Sequence, residues 1–121
     1  EELANLPGKY AAPSGRLFLI YVEGKAAGCI ALRKINADIC EMKRLFVRET
    51  FRGAGAGRML IEHLIKEART IGYRKMRLDT LPDKMPKAVE LYRSYGFREI
   101  APYYENPHKT KLFMEKDLTT A

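Results

Sequence analysis

The chain has 121 residues, 46% of them hydrophobic, with a formal net charge of +7. That length suits one domain with one core, and that composition excludes a disordered polymer. No apolar run approaches the roughly 20 residues that cross a bilayer, and no basic-then-apolar leader opens the chain, so the expectation is a cytoplasmic protein with no membrane partner; the chain begins at Glu1 rather than Met, which leaves room for a missing upstream segment.

Residues 1–6 read as the tail of a helix cut by Pro7-Gly8, and Pro13-Ser14-Gly15 is a second break. Leu17-Phe18-Leu19-Ile20-Tyr21-Val22 is nearly all apolar and rich in strand formers, which suits a strand buried on both faces. Glu23-Gly24-Lys25 signals a tight turn, and the apolar run 26–32 closes a hairpin. Asn36-Ala37-Asp38 is the next turn. Residues 39–47 form a third strand, interrupted by Glu41, Lys43 and Arg44. Cys29 and Cys40 read as reduced thiols in strand-like surroundings, in preference to a disulfide between neighbouring strands.

A glycine-rich loop follows. Leu60, Ile61, Leu64, Ile65, Ala68 and Ile71 then repeat at helical spacing, with Gly72 just past the helix end. Met76, Leu78 and Thr80 alternate with Lys75, Arg77 and Asp79, as in a strand. Asp83 and Pro86 mark the start of a second helix, which Gly96 ends. Two last strands, 97–101 and 112–118, flank a loop with Tyr103, Tyr104, Asn106 and Pro107. The order β-β-β-α-β-α-β-β implies a mixed sheet, with a parallel crossover through the long helix.

The loop Arg52-Gly53-Ala54-Gly55-Ala56-Gly57-Arg58 sits between a strand and a helix start. Such a place points several free backbone N–H groups at one spot, at the positive end of a helix dipole. Glycine lets the backbone approach an anion without a Cβ in the way. The physical reading is a phosphate or pyrophosphate cradle. It is neither a Walker A loop nor a G-x-G-x-x-G fingerprint.

The motif Arg52, Gly55, Gly57 resembles the central signature of the GNAT superfamily of acyl-CoA-dependent N-acyltransferases. Residues 41–47 resemble the family's central strand, and Ala88-Val89-Glu90-Leu91-Tyr92-Arg93-Ser94-Tyr95-Gly96-Phe97 resembles its second hallmark helix. The likeness spans about residues 16–118. It implies an α/β (α+β) domain over 1–121: a mixed, mostly antiparallel twisted sheet, with a parallel splayed strand pair and crossover helices. It also implies that most of the usual N-terminal strand and helices are lacking, as in a truncated domain.

The resemblance further implies the chemistry of an N-acetyltransferase: direct attack of an acceptor amine on acetyl-CoA in a ternary complex. Backbone groups of Leu45, Phe46 and Val47 would pair with the pantetheine arm. Those of Arg52, Gly53, Ala54, Gly55, Ala56, Gly57 and Arg58 would hold the pyrophosphate. Tyr92 would sit near the sulfur and protonate the leaving thiolate. By periodicity alone Tyr92 is a core tyrosine, and the flanking motif reverses that reading. Glu41 is the candidate base, directly or through a water, although a structural ion pair with Lys43 or with a charge on a neighbouring strand is an equal alternative. Asp79 is a weaker candidate. Tyr103, Tyr104 and Asn106 are candidates for the acceptor pocket. Met85 stands where the family often has a cofactor-contacting Asn.

His63 reads as a surface residue, and His108 has no partner at ligand spacing, so no metal site is expected. The Lys and Arg residues are spread along the chain, and no nucleic-acid motif accompanies them, which argues against nucleic acid as the partner. A non-catalytic CoA-binding or regulatory domain is the other alternative. A homodimer is left open, and the acceptor amine is not identified.

Overall fold

The computed structural model describes residues 2–5 (backbone only), 15–53, 55–83, 86–105 and 110–119. Ala54, Met85, Asn106, Pro107 and His108 lie outside the described residues. The strands are β1 (Glu2–Asn5), β2 (Arg16–Val22), β3 (Lys25–Lys34), β4 (Ile39–Val47), β5 (Lys75–Thr80), β6 (Arg98–Ile100) and β7 (Leu112–Asp117). The helices are α1 (Ala56–Ile71) and α2 (Pro86–Ser94). All seven strands form one sheet in the order β1-β2-β3-β4-β5-β7-β6. Every pairing is antiparallel except β4 with β5.

The alternating and apolar runs became the expected strands, and the third strand has the expected bounds. The hairpin between β2 and β3 turns on Glu23 and Gly24, with φ of 51° and 79°. Two successive positive φ angles give the turn that matches strand twist. One expectation is corrected. The sequence of residues 1–6 suggests a helix tail, yet Glu2–Asn5 is a strand, with Glu2 opposite Tyr21 and Asn5 opposite Phe18. Four residues are too few to show a period, and the edge of β2 offers a row of unpaired backbone groups that a short strand satisfies.

The core lies on one face of the sheet. Leu60, Ile61, Leu64, Ile65 and Ala68 of α1 pack there against Ile20, Ile30, Leu32, Met42, Met76 and Leu78. Gly72, at φ 113°, ends α1 and donates its N–H to the Ala68 and Arg69 carbonyls. α2 lies beside α1: Leu91 comes within contact of Gly57, and the Tyr95 hydroxyl bonds Glu62. Cys40 is buried and Cys29 half-buried, their thiols donating to the Lys75 and Arg44 carbonyls.

Two features of β4 shape everything that follows. Its pairing with β5 covers Ile39, Cys40 and Glu41, opposite Lys75, Met76 and Arg77, and then stops. Its pairing with β3 also slips: Lys43 faces Ala31 and Phe46 faces Cys29, so Arg44 and Leu45 together face Ile30. Arg44 occupies the left-handed region at φ 58°. An extra residue of this kind is a bulge, which bends its strand and increases the local twist. β4 therefore leaves β5 where the bulge turns it.

Candidate functional site

At one end of the site, Gly53 and Gly55 adopt φ of 86° and 85°, and a Cβ on either would meet open space. Gly55 precedes α1, and no side chain caps it. The first bond of the helix runs from the Met59 N–H to the Gly55 carbonyl, at 3.0 Å. The N–H groups of Ala56, Gly57 and Arg58 therefore point outward from the positive end of a 16-residue helix. They open on a cleft of about 630 Å³, between this loop and Lys87, Leu91 and Ser94 of α2 and its start. Arg52, Arg58 and Lys87 border it against the one carboxylate of Glu90, which leaves it net cationic. The Arg52 side chain also turns back along β4, donating from Nε to the Val47 carbonyl at 2.9 Å and lying 6.0 Å from the Phe46 ring. A pyrophosphate fits this cradle: outward donors, positive charge and no side chain in the way.

The splay between β4 and β5 makes the second part, a gap of about 280 Å³ bordered by residues 42–45 and 78–81, Tyr92 and Lys111. With β5 gone, the backbone edge of residues 42–47 that faced it has no strand partner. Phe46 is 52% exposed here, unusual for a large apolar side chain. Tyr92 reaches the gap from α2, its ring held edge-on by Phe97 at 5.9 Å. Burial, aided by the charge of Asp79, pushes its hydroxyl up to about 12, so the group carries its proton throughout the physiological range.

The third part lies on the other face of the sheet, away from α1. Glu41 is fully buried there. It accepts from Arg33 Nε at 2.7 Å and from the Tyr103 hydroxyl at 2.5 Å, and Lys43 Nζ stands 3.7 Å away. Asp79 accepts from Lys43 Nζ at 3.1 Å and from the Tyr104 hydroxyl at 2.8 Å, with Lys111 Nζ at 3.3 Å. Burial works to raise the Asp79 carboxyl, but these donors outweigh it and hold it below the usual range. For Tyr103, burial and the bond to Glu41 raise the hydroxyl far above its ordinary value. Tyr103 and Tyr104 stack edge-on with each other and with Phe113, which roofs the network.

The structure brings together most of the residues singled out from sequence. The described residues of the glycine loop line the cleft, and Leu45 and Tyr92 line the gap. Glu41 does not line the gap; it sits behind Lys43, whereas Asp79 borders it. Tyr103 and Tyr104 reach the site through the two carboxylates rather than as a free wall. Ala54 and Asn106 fall outside the described residues. His63 lies edge-on to Phe18 at 4.6 Å, far from this chemistry in the fold, on the α1 face that meets β2. Sequence reasoning missed Lys43 and Lys111 as site residues. The signal for Lys43 was its place two residues after Glu41, on the same face of the strand.

Comparison with known proteins agrees with this geometry. The model of the acetyltransferase (GNAT) family matches residues 2–97. An uncharacterized N-acetyltransferase of Schizosaccharomyces pombe is 40% identical over 98% of this chain and 74% of its own length. An IAA acetyltransferase of Azospirillum brasilense is 34% identical over 89% of this chain and 71% of its own. Among solved structures, a GNAT family acetyltransferase from Elizabethkingia anophelis with acetyl-CoA bound superposes with a TM-score of 0.72 at 25% identity, covering 86% of this chain and 76% of that one.

Proposed function

The chain belongs to the acetyltransferase (GNAT) family and is an acyltransferase, and from that premise we propose that it moves an acetyl group from acetyl-CoA to a primary amine within the gap between β4 and β5. The observation that carries the proposal is the conjunction of two openings at the two ends of one strand-to-helix segment, residues 42–58. A helix start with outward N–H groups follows a splayed strand, and a tyrosine that stays protonated projects into the splay.

The donor supplies an acyl group activated as a thioester. Ala56, Gly57 and Arg58 would hold its pyrophosphate through their N–H groups, with Gly53 and Gly55 giving the backbone room and Arg52, Arg58 and Lys87 adding charge. The edge of Leu45, Phe46 and Val47 on that side has no strand partner, so an extended amide-bearing arm could take the missing strand's place. Val47 offers its N–H here, since its carbonyl already accepts from Arg52. Tyr92 provides the proton that a leaving thiolate needs.

An amine near neutral pH is mostly protonated and must lose a proton before it attacks. Asp79 borders the gap but is a weak base, because its donors hold it ionised. Glu41 is the base we propose, acting through an intervening water; like Asp79 it is ion-paired, to Arg33, and Lys43 links the two carboxylates. Holding amine and carbonyl in one narrow gap supplies much of the rate. We read residues 1–121 as one such domain, acting in the cytoplasm, where thiols such as Cys29 and Cys40 stay reduced. No helix among the described residues is long and apolar enough to cross a membrane.

The test is free-thiol release from acetyl-CoA with a panel of amines. Turnover that falls in Tyr92→Phe while acetyl-CoA binding persists supports the reading. Binding of acetyl-CoA with no thiol release for any amine turns the domain into a CoA-binding module and refutes it.

A further inference from the structure

The open-face mouth of the gap carries more positive than negative charge, and its positive groups are the more accessible ones. Lys43 and Lys111 both converge on the single carboxylate of Asp79, one on each oxygen. Their side chains are 31% and 21% exposed, against 10% for Asp79. Glu41 adds no free negative charge, because Arg33 neutralises it at 2.7 Å and Tyr103 covers its other oxygen. Arg44 borders the same gap. Counting Lys43 and Lys111 against Asp79, two charges meet one at this mouth. The neighbouring Arg77 and Lys75 share one carboxylate, Glu115, and so add to the excess.

A lysine ammonium has three donors. Lys111 directs one at the Tyr104 hydroxyl and one at Asp79, and its bond to Tyr104 comes first among the influences that keep it cationic. What an entering molecule meets is therefore ammonium N–H, with the Tyr104 ring, itself 36% exposed, beside the Lys111 ammonium. A polyamine would meet like charges in a half-buried setting, where repulsion is poorly screened. An amine that also carries an acid would be drawn in by that acid, and the same cations would favour the neutral, reactive form of its amino group.

We propose that the acceptor is a small amine bearing a second, anionic group, a carboxylate or a phosphate, held by Lys43 and Lys111 at the open-face mouth of the gap. This inference rests on the acetyl-transfer reading above. It goes beyond it in naming the acceptor's chemistry and the residues that select it.

The experiment uses matched pairs with acetyl-CoA: glycine against glycinamide, L-aspartate against its neutral diamide, O-phosphoethanolamine against ethanolamine, with putrescine as the cationic arm. kcat/KM is compared per unprotonated amine. Acid-bearing members should exceed their neutral partners by about tenfold or more, the scale of one charge-assisted hydrogen bond in a half-buried site. The aspartate and phosphoethanolamine arms separate the two acid chemistries. Lys111→Gln should collapse the ratio mainly through KM, and Lys111→Arg should restore it. Equal rates across the pairs, or a preference for putrescine, would overturn the proposal and leave acetyl transfer standing. If no amine is turned over, transfer itself fails, and calorimetric titration of the same pairs into protein saturated with CoA decides the anion site. Tighter binding of the acid members upholds it, and equal or absent binding removes it.

Discussion

The two halves of β4 differ in one respect, and the site follows from it. From Ile39 to Glu41 the strand is bonded on both edges, to β3 and β5, and its side chains are buried or nearly so. From Met42 to Val47 it keeps only β3, slips by a residue at Arg44, and exposes Phe46. The first half is sheet that stabilises. The second is sheet opened on one side, where the backbone groups that a neighbour would have used are available to a ligand. A binding site here is made by ending a pairing early, with the bulge supplying the bend.

The largest test of this contrast is chemical. Tyr92 borders the gap beside the open half of β4, and Tyr92→Phe should lower kcat by roughly 100-fold, the usual scale for a positioned proton donor, with acetyl-CoA affinity unchanged by calorimetry. A similar kcat in the variant would detach Tyr92 from the mechanism.

Next comes the support beneath the open half. A Cβ at Gly28 would run into the Phe46 carbonyl and come within 3.2 Å of the Val47 Cα. Gly28→Ala should cost about 2 kcal/mol in urea denaturation, as overpacking against backbone does, and should weaken acetyl-CoA binding by moving the open half. Unaltered stability would mean that this end of β4 yields freely.

The pH dependence of stability sharpens the same point. With its hydroxyl pushed up to about 12 in the fold and near 10 when unfolded, Tyr92 keeps its proton in the native state after the unfolded chain has lost it. Its contribution is thus fully present below pH 10 and lost as pH rises toward 12. Tyr92→Phe should flatten that decline relative to the wild type between those values, and parallel curves would contradict the burial of this hydroxyl.

The smallest effect concerns the bulge. Arg44 has a left-handed backbone at φ 58°, which costs a residue with a Cβ about 1 kcal/mol. Arg44→Gly should therefore be neutral or stabilising by up to about 1 kcal/mol, whereas Arg44→Val should destabilise. Equal losses in both would show that the left-handed backbone carries no strain at this position.

The donor half was readable in the sequence because its determinants are local. Glycines at 53, 55 and 57 and the stripe from Leu60 to Ala68 lie within consecutive turns, and their spacing carries the geometry. The open face was less so. Asp79 meets Lys43 and Lys111, and Glu41 meets Tyr103, only because the sheet order sets β4, β5 and β7 side by side. Glu41 stood out as a carboxylate in an apolar strand, and sequence left base and ion pair equally open. The fold supplies the ion pair to Arg33. The bulge at Arg44 left no mark in composition, since arginine has no special preference for a left-handed backbone. Glu2–Asn5 was misread because a four-residue strand takes its identity from the neighbour it pairs with.

The contrast within β4 is most directly measured by following its backbone amide resonances as acetyl-CoA is added. The account predicts large shifts at Leu45, Phe46 and Val47 together with Ala56, Gly57 and Arg58, and little change from Ile39 to Glu41. Shifts absent from 45–47, or no larger there than at 39–41, would contradict the claim that the opened half of the strand is where acetyl-CoA lies.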